Sequence, residues 1–321
     1  MAATILLVDA DLSNSSDWQE VLEDHGYRVF AAGNGRAALE ECPQLQPDLV
    51  LLQSSLPDMQ GLEVCRRLKN DSRNHLTPII VMAPGAMECD ALRAREAGAD
   101  DFWGNPSSRW EALSRVQSIL HLKSYIDEQA ESVVMALARS IEARDPLSAG
   151  HCQRVSEYAT LLGKRLGLPQ DDVQALGLAG LLHDVGKVAV PDAILFKPAP
   201  LSREEFDIMK QHSMAGERIC APIKSLRAVL PVIRHHHERI DGTGYPDGLR
   251  GENIPLNARI MHVVDVYDAL TTDRPYRKHL SRECATNIML EEVGKSWLDS
   301  SLVDQFISLP LRLHAANTFR H

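Results

Sequence analysis

Five short, mostly apolar runs recur through the first third of the chain: Ile5–Val8, Val29–Ala31, Leu49–Leu52, Ile79–Met82 and Asp101–Trp103. Runs such as Leu49-Val50-Leu51-Leu52 show no polar alternation, so a strand built from them needs apolar cover on both faces. Stretches with helical spacing lie between and after them: Ser15–Asp24, Gly35–Glu41, Leu62–Lys69, Met87–Ala97 and Arg109–Leu120. This strand–helix alternation with short loops predicts an α/β, doubly wound parallel sheet of the (βα)5 kind. Ligands in such sheets bind beyond the carboxyl ends of the strands. Those ends hold Asp9, Asp11, Gln53, Ala83 and Asn105.

The alternation then stops. From Arg109 to Ala143 neither glycine nor proline interrupts the chain. Leu113, Val116, Leu120, Ala130, Val134, Leu137 and Ile141 step by threes, fours and sevens, which predicts one long helix, or two abutting ones, ending at Asp145-Pro146. A one-sided amphipathic helix is the default reading. A two-stranded coiled coil is the alternative, with Lys123, Ser124 and Asp127 interrupting its seam. After Pro146 helical patterns dominate and no convincing strands follow, so an all-α bundle is expected. The expected organisation is an α/β domain over residues 1–122, a helical linker over 123–145 and a helical domain over 146–321.

Composition excludes several classes. No stretch approaches the roughly 20 apolar residues of a membrane span, and Met1–Ala10 reads as a strand without the basic region of a signal peptide. A cytoplasmic protein without a membrane role is expected. The six cysteines (Cys42, Cys65, Cys89, Cys152, Cys220 and Cys284) form no CxxC pair, which fits reduced thiols. Net charge is −10, carried mostly by the first domain, and no basic stripe could track duplex nucleic acid. Histidine is uneven: ten of thirteen lie at or after His151.

Those histidines sit in a pattern. An apolar run from Leu176 to Leu182 ends in His183 and Asp184, with Gly186 expected to close the helix in a left-handed turn and Lys187 beside the pair. On Gly150–Leu166, His151 shares a face with Val155, Tyr158 and Leu162. On Leu226–Glu238, His236 and His237 join Val229, Val232 and Ile233, while His235 points off the stripe. On Asn257–Thr272, Asp265 lies among Ala258, Met261 and Ala269. A further helix opens at Ser202 with Glu205 three residues on, a capping-box pattern, and is expected to carry His212. Any one of these alone reads as a hydrogen-bonded core residue. Seven together would each need a separate buried partner, and a shared set of cations satisfies them all at once. The segment Asp241-Gly242-Thr243-Gly244-Tyr245-Pro246 joins this set. Its glycines permit a tight turn and close backbone approach to a ligand.

The first domain resembles the receiver domain of two-component response regulators through LLVDAD, PDLVLLQSSLPDMQGLEVCRRLK, TPIIVM and GADDF. It departs from that pattern where it matters chemically. Gln53 stands at the phospho-accepting aspartate, Ala10 at one place of the acidic pair that holds magnesium, Ala83 at the hydroxyl residue and Asn105 at the lysine before Pro106. An amide cannot become an acyl phosphate. The expectation is a pseudo-receiver serving dimerisation or partner docking, with a purely structural domain as the alternative.

The second half resembles the HD-GYP domain of the HD phosphohydrolase superfamily over roughly residues 141–309. The resemblance is carried by EARDPLSAGHCQRV, LLHDVGKVAVPDAILFKP, LSREEFDIMKQH, HHERIDGTGYPDGLRGENIP and ARIMHVVDVYDALTTDRPYR. It implies a metal-dependent phosphodiesterase that hydrolyses cyclic di-GMP to pGpG or GMP. It also implies the ligands His151, His183, Asp184, His212, His236, His237 and Asp265, with Asp184 bridging. Leu147 replaces the glutamate that some members use for a third metal, so two divalent ions are expected: iron or manganese first, nickel or zinc as alternatives. Two ions about 3.5–4 Å apart suit in-line displacement at a phosphodiester. Asp184 and Lys187 are the expected catalytic residues. Lys187, Tyr245, Arg274, Gly242 and Gly244 are the expected substrate contacts, and no general acid for the leaving oxygen stands out. Glu142 and Asp145 are expected either to orient His151 or to solvate a helix end, and His262 and His279 match no ligand position. The resemblance further implies a docking surface for diguanylate cyclase (GGDEF) domains at the GYP loop, and the receiver or the linker helix is the expected seat of a homodimer. Two other readings remain: hydrolysis of a mixed cyclic GMP–AMP dinucleotide, and a non-catalytic cyclic-dinucleotide sensor or scaffold.

Overall fold

The computed structural model describes residues 2–71, 74–83, 88–104, 109–144, 150–273 and 278–310. Asn105, Asp145, Leu147 and Arg274 lie outside the described residues. Two compact units make up the chain, Met1–Glu128 and Gln129–His321.

In the first unit the strands are β1 (Thr4–Val8), β2 (Arg28–Ala32), β3 (Leu49–Gln53), β4 (Ile79–Met82) and β5 (Asp101–Trp103). All pair in parallel, in the order β2-β1-β3-β4-β5, with Val8 opposite Leu52 and Leu52 opposite Val81. The connecting helices are α1 (Leu12–Asp24), α2 (Gly35–Leu45), α3 (Gly61–Asn70) and α4 (Glu88–Glu96), and α5 (Arg109–Arg144) follows β5. The unalternating strands are covered on both faces. Leu6, Val8, Val50, Leu52, Ile79 and Val81 pack with Ala38, Val64 and Leu68, whereas Ile5, Leu7, Leu49, Leu51 and Ile80 pack with Leu22, Ala112 and Val116. Each such fully buried aliphatic side chain contributes about 1.5–3 kcal/mol. Helix α2 runs past its expected end at Glu41. Asn34 caps its start by accepting from Ala37 N at 2.9 Å, and Pro43 sits inside its last turn.

At the carboxyl end of this sheet Asp9 is buried and accepts from Asp11 N at 2.9 Å. Gln53 ends β3, its Oε1 buried without a hydrogen-bond partner among the described residues, and Ala83 is buried just after β4.

Helix α5 is a single element of 36 residues, as its unbroken composition predicts. The second unit continues with α6 (His151–Arg165), α7 (Gln170–Leu182), α8 (Asp192–Leu195), α9 (Arg203–Lys210), α10 (His212–Cys220), α11 (Leu230–His235), α12 (Leu256–Thr271), α13 (Arg282–Gly294) and α14 (Ser300–Ile307). Three 3-10 turns, Val185–Ala189, Lys224–Val229 and Gly251–Asn253, join some of them. No strand occurs among its described residues. Val155, Leu162, Leu176, Leu182, Ile233 and Val264 are fully buried in its core. Tyr158, Tyr267 and Phe306 meet edge to face, with ring centroids 5.0–6.0 Å apart. No helix is long and apolar enough to cross a membrane among the described residues.

Candidate metal centre

Four junctions in the second unit set the site. Helix α7 presses on α6 at Gly180, where a Cβ would stand 2.4 Å from Ser156 Cα. That contact brings the end of α7 beside the start of α6. His183 caps α7, its N–H donating to Ala179 O at 2.7 Å, and lies next to His151, the first residue of α6.

Gly186 does not close α7 in a left-handed turn. It lies inside the Val185–Ala189 turn, and close packing is what demands glycine: a Cβ would fall 1.8 Å from His212 O and 2.4 Å from Gly216 N. The turn that carries Asp184 and Lys187 is thereby seated on α10.

His212 is not carried by the capped helix. The capping box at Ser202 and Glu205 starts α9, which stops at Lys210, and His212 opens α10. The stretch expected as one helix over Leu226–Glu238 is a 3-10 turn followed by α11. Pro231, in the first turn of α11, has no N–H with which to extend the earlier turn. His236 then caps α11.

These junctions bring together all seven candidate residues in two groups. His151, His183 and Asp265 form one; Asp184, His212, His236 and His237 form the other; within each, the ligand atoms lie within 4.8 Å of one another. In the first, His151 Nε2 is 3.3 Å from His183 Nε2 and 3.5 Å from Asp265 Oδ1. In the second, His212 Nε2 is 3.4 Å from His236 Nε2 and 3.5 Å from Asp184 Oδ1. Asp184 faces both groups, since its Oδ2 is 3.4 Å from His183 Nε2.

The donor set fits a cation. His212 Nδ1 donates to Met209 O at 2.8 Å and His236 Nδ1 donates to Ile233 O at 2.9 Å. A carbonyl only accepts, so Nδ1 carries the proton in both rings. Burial holds both imidazoles below their ordinary pKa, His236 well below, with His183 and His212 adding to the effect there. The rings are neutral and their Nε2 lone pairs face one another. Asp184 adds a third acceptor: burial opposes its ionisation, but Lys187 and His183 hold its carboxyl well below the usual range. Three acceptors converge with no proton among them, an arrangement a positive ion satisfies. His237 is neutral for the same reason, burial first and then His236 and His212.

The remaining candidates surround the cluster. Lys187 Nζ donates to Asp184 Oδ2 at 2.5 Å. The Tyr245 ring lies on that of His237, centroids 4.7 Å apart and planes inclined by 34°, and burial pushes its phenol pKa up. Gly242 has a φ of +81°, and a Cβ on Gly244 would stand 2.4–2.6 Å from the backbone of Arg239, Glu238 and His237, so the loop lies directly on the end of the histidine run. His235 bonds Asp247 rather than facing the cluster, and His279 bonds Asp273 at the surface. His262 Nδ1 donates to Glu238 O at 2.7 Å. Glu142 accepts from Cys152 N at 3.2 Å, satisfying a backbone donor in the first turn of α6.

Two buried carboxylates went unread in the sequence. Glu238 accepts from Asp247 N at 2.8 Å and Leu249 N at 3.1 Å, fixing the loop after Tyr245. Asp268, fully buried, accepts from His151 Nδ1 at 2.7 Å. Its spacing of three from Asp265, on one helix face, was the available signal.

The profile of the HD domain family matches residues 135–302, and that of the response regulator receiver domain matches residues 5–117. The cyclic di-GMP phosphodiesterase response regulator RpfG of Xanthomonas campestris pv. campestris is 33% identical over 96% of this chain and 88% of its own. A probable cyclic di-GMP phosphodiesterase of Vibrio cholerae is 33% identical over 95% of this chain and 77% of its own. The 3'3'-cGAMP-specific phosphodiesterase 1 of Vibrio cholerae is 38% identical over 56% of this chain and 42% of its own. The first two of these relatives match the chain across both of its units. The chain belongs to the HD domain family, with a response regulator receiver domain at its N-terminal side.

Proposed function

We propose that the chain is a metal-dependent phosphodiesterase of the HD-GYP branch that hydrolyses cyclic di-GMP to pGpG or GMP. The observation that carries this reading is the convergence of unprotonated acceptors at His212, His236 and Asp184, beside a second group of possible ligands at His151, His183 and Asp265. His151, His183 and Asp265 would hold one divalent cation, His212, His236 and His237 the other, and Asp184 would bridge them. A histidine-rich set favours iron, manganese, nickel or zinc over magnesium, and the HD-GYP resemblance tilts the choice towards iron or manganese. Bound there, two such ions would lower the pKa of water and neutralise charge on a phosphodiester.

The chain's own groups do the rest. Lys187 balances Asp184 and is placed to hold a phosphate oxygen as a point charge. Tyr245 backs His237 and, with Gly242 and Gly244, gives the loop its shape for substrate. A small hollow lies beside Asp184 and Lys187, lined also by Ala138, Ile141, Glu142 and Leu195. Arg274 is the proposed contact to a second phosphate or to a guanine edge.

We assign residues 1–122 to a receiver that takes no phosphate, because Gln53 is an amide. Incubation with acetyl phosphate should leave it unmodified, and an aspartyl phosphate in that domain would overturn the assignment. Residues 123–145 link it to the catalytic domain over 146–321. The GYP loop is the proposed docking surface for GGDEF domains, the receiver or linker helix the proposed dimer contact, and the cytoplasm the proposed location.

The test is anaerobic purification, metal analysis and turnover of cyclic di-GMP with added Mn(II) or Fe(II). Turnover is expected, and full metal occupancy without turnover would favour a sensor. Mixed cyclic GMP–AMP belongs in the same assay, because three Vibrio cholerae relatives at 36–38% identity carry that substrate in their names.

A further inference from the structure

Helices α6 and α12 meet in two rungs. In one, His151 Nε2 lies 3.5 Å from Asp265 Oδ1, within the ligand cluster. In the other, three residues further along each helix, Asp268 accepts from His151 Nδ1 at 2.7 Å and takes a forked contact from Arg154, through Nε at 2.6 Å and Nη2 at 3.1 Å. Asp268 is wholly buried, so these contacts are its means of staying ionised.

The other imidazoles are oriented differently. His183, His212 and His236 each donate Nδ1–H to a carbonyl oxygen, of Gly180, Met209 and Ile233, at 2.8–3.0 Å. A neutral carbonyl fixes the ring. A carboxylate fixes the ring and also makes the opposite nitrogen a stronger donor to a cation. The two halves of the cluster are therefore unequal: the His151 half has three donors, one of them reinforced by a buried anion, and the other half has four.

We infer that Asp268, clamped by Arg154, is the positioning residue for His151, and that the cation held by His151, His183 and Asp265 depends on it selectively. This rests on the two-cation reading above. Asp268→Asn keeps the shape, but its NH2 turns a donor towards either His151 or Arg154, so one of the two loses its acceptor.

Metal-free full-length protein, wild type and D268N, is titrated with Mn(II) against a competing chelator, and bound Mn(II) per chain is measured. Wild type is expected to take two. D268N is expected to take one with unchanged affinity and the second about 10–100-fold more weakly. Should D268N not fold, Arg154→Gln leaves the His151–Asp268 bond in place and is expected to weaken the same single cation by a smaller factor. Two unchanged affinities, or both weakened by the same factor as a general structural lesion would do, would overturn the inference while leaving the metal reading intact. A wild-type chain that binds no Mn(II) would remove the metal reading and this inference with it.

Discussion

Replacing Gly186 by alanine places one carbon where the backbone of α10 already stands. The new Cβ would lie 1.8 Å from His212 O and 2.4 Å from Gly216 N, both backbone atoms that cannot swing aside. Ordinary contact begins near 3.4 Å, so the Val185–Ala189 turn and the start of α10 must part by roughly 1.6 Å. Overpacking of this kind costs about 1–3 kcal/mol or more. At about 2–4 °C per kcal/mol for a unit of this size, the melting temperature should fall by about 2–12 °C. The same movement separates Asp184 from His212, now 3.5 Å apart. Metal–ligand distances tolerate only about 0.2 Å, so the cation proposed for Asp184, His212, His236 and His237 should be lost with the stability. Gly216→Ala is the graded comparison, because its Cβ meets the Ile233 Cγ2 methyl at 2.8 Å and comes no nearer to a neighbouring backbone than Gly186 N at 3.2 Å. Melting curves and metal analysis of both variants decide the matter. A Gly186→Ala protein with wild-type melting temperature and metal content would refute the argument that close packing seats this turn.

Two further outcomes follow from the site. Lys187→Met removes a charge-assisted hydrogen bond, worth about 1.5–3 kcal/mol, so KM for cyclic di-GMP should rise about 10–150-fold while metal content stays near wild type; an unchanged KM would deny Lys187 a place at the phosphate. Glu238→Gln turns one accepting oxygen into a donor opposite Asp247 N or Leu249 N, at about 1–3 kcal/mol. Amide exchange over residues 241–249 should speed up relative to the core of the unit, and uniform protection in the variant would mean that the loop is held by other contacts.

What could be read from the residues depended on how local the cause was. Strands β1, β3 and β4 lie where unalternating runs put them, because a strand buried on both faces needs nothing but apolar side chains. Helix α5 continues because nothing in Arg109–Ala143 can stop it, and the capping box at Ser202 and Glu205 forms because both partners lie within one turn. The seven clustered residues were visible because each sits among apolar neighbours on a helical face or end. Causes that act across the fold were not visible. Gly186 looks like a helix terminator until α10 is known to lie against it. The break at Gln211 separates His212 from the helix that leads to it, although the spacing runs on. Asp268 reads as one more helix carboxylate until His151 and Arg154, more than a hundred residues away, arrive on the same side.

The most direct measurement is the number of divalent cations per full-length chain, by elemental analysis after anaerobic purification, in the wild type and in His212→Ala. The account predicts two in the wild type and one in the variant. A wild type with none, or a variant that keeps both, would contradict it.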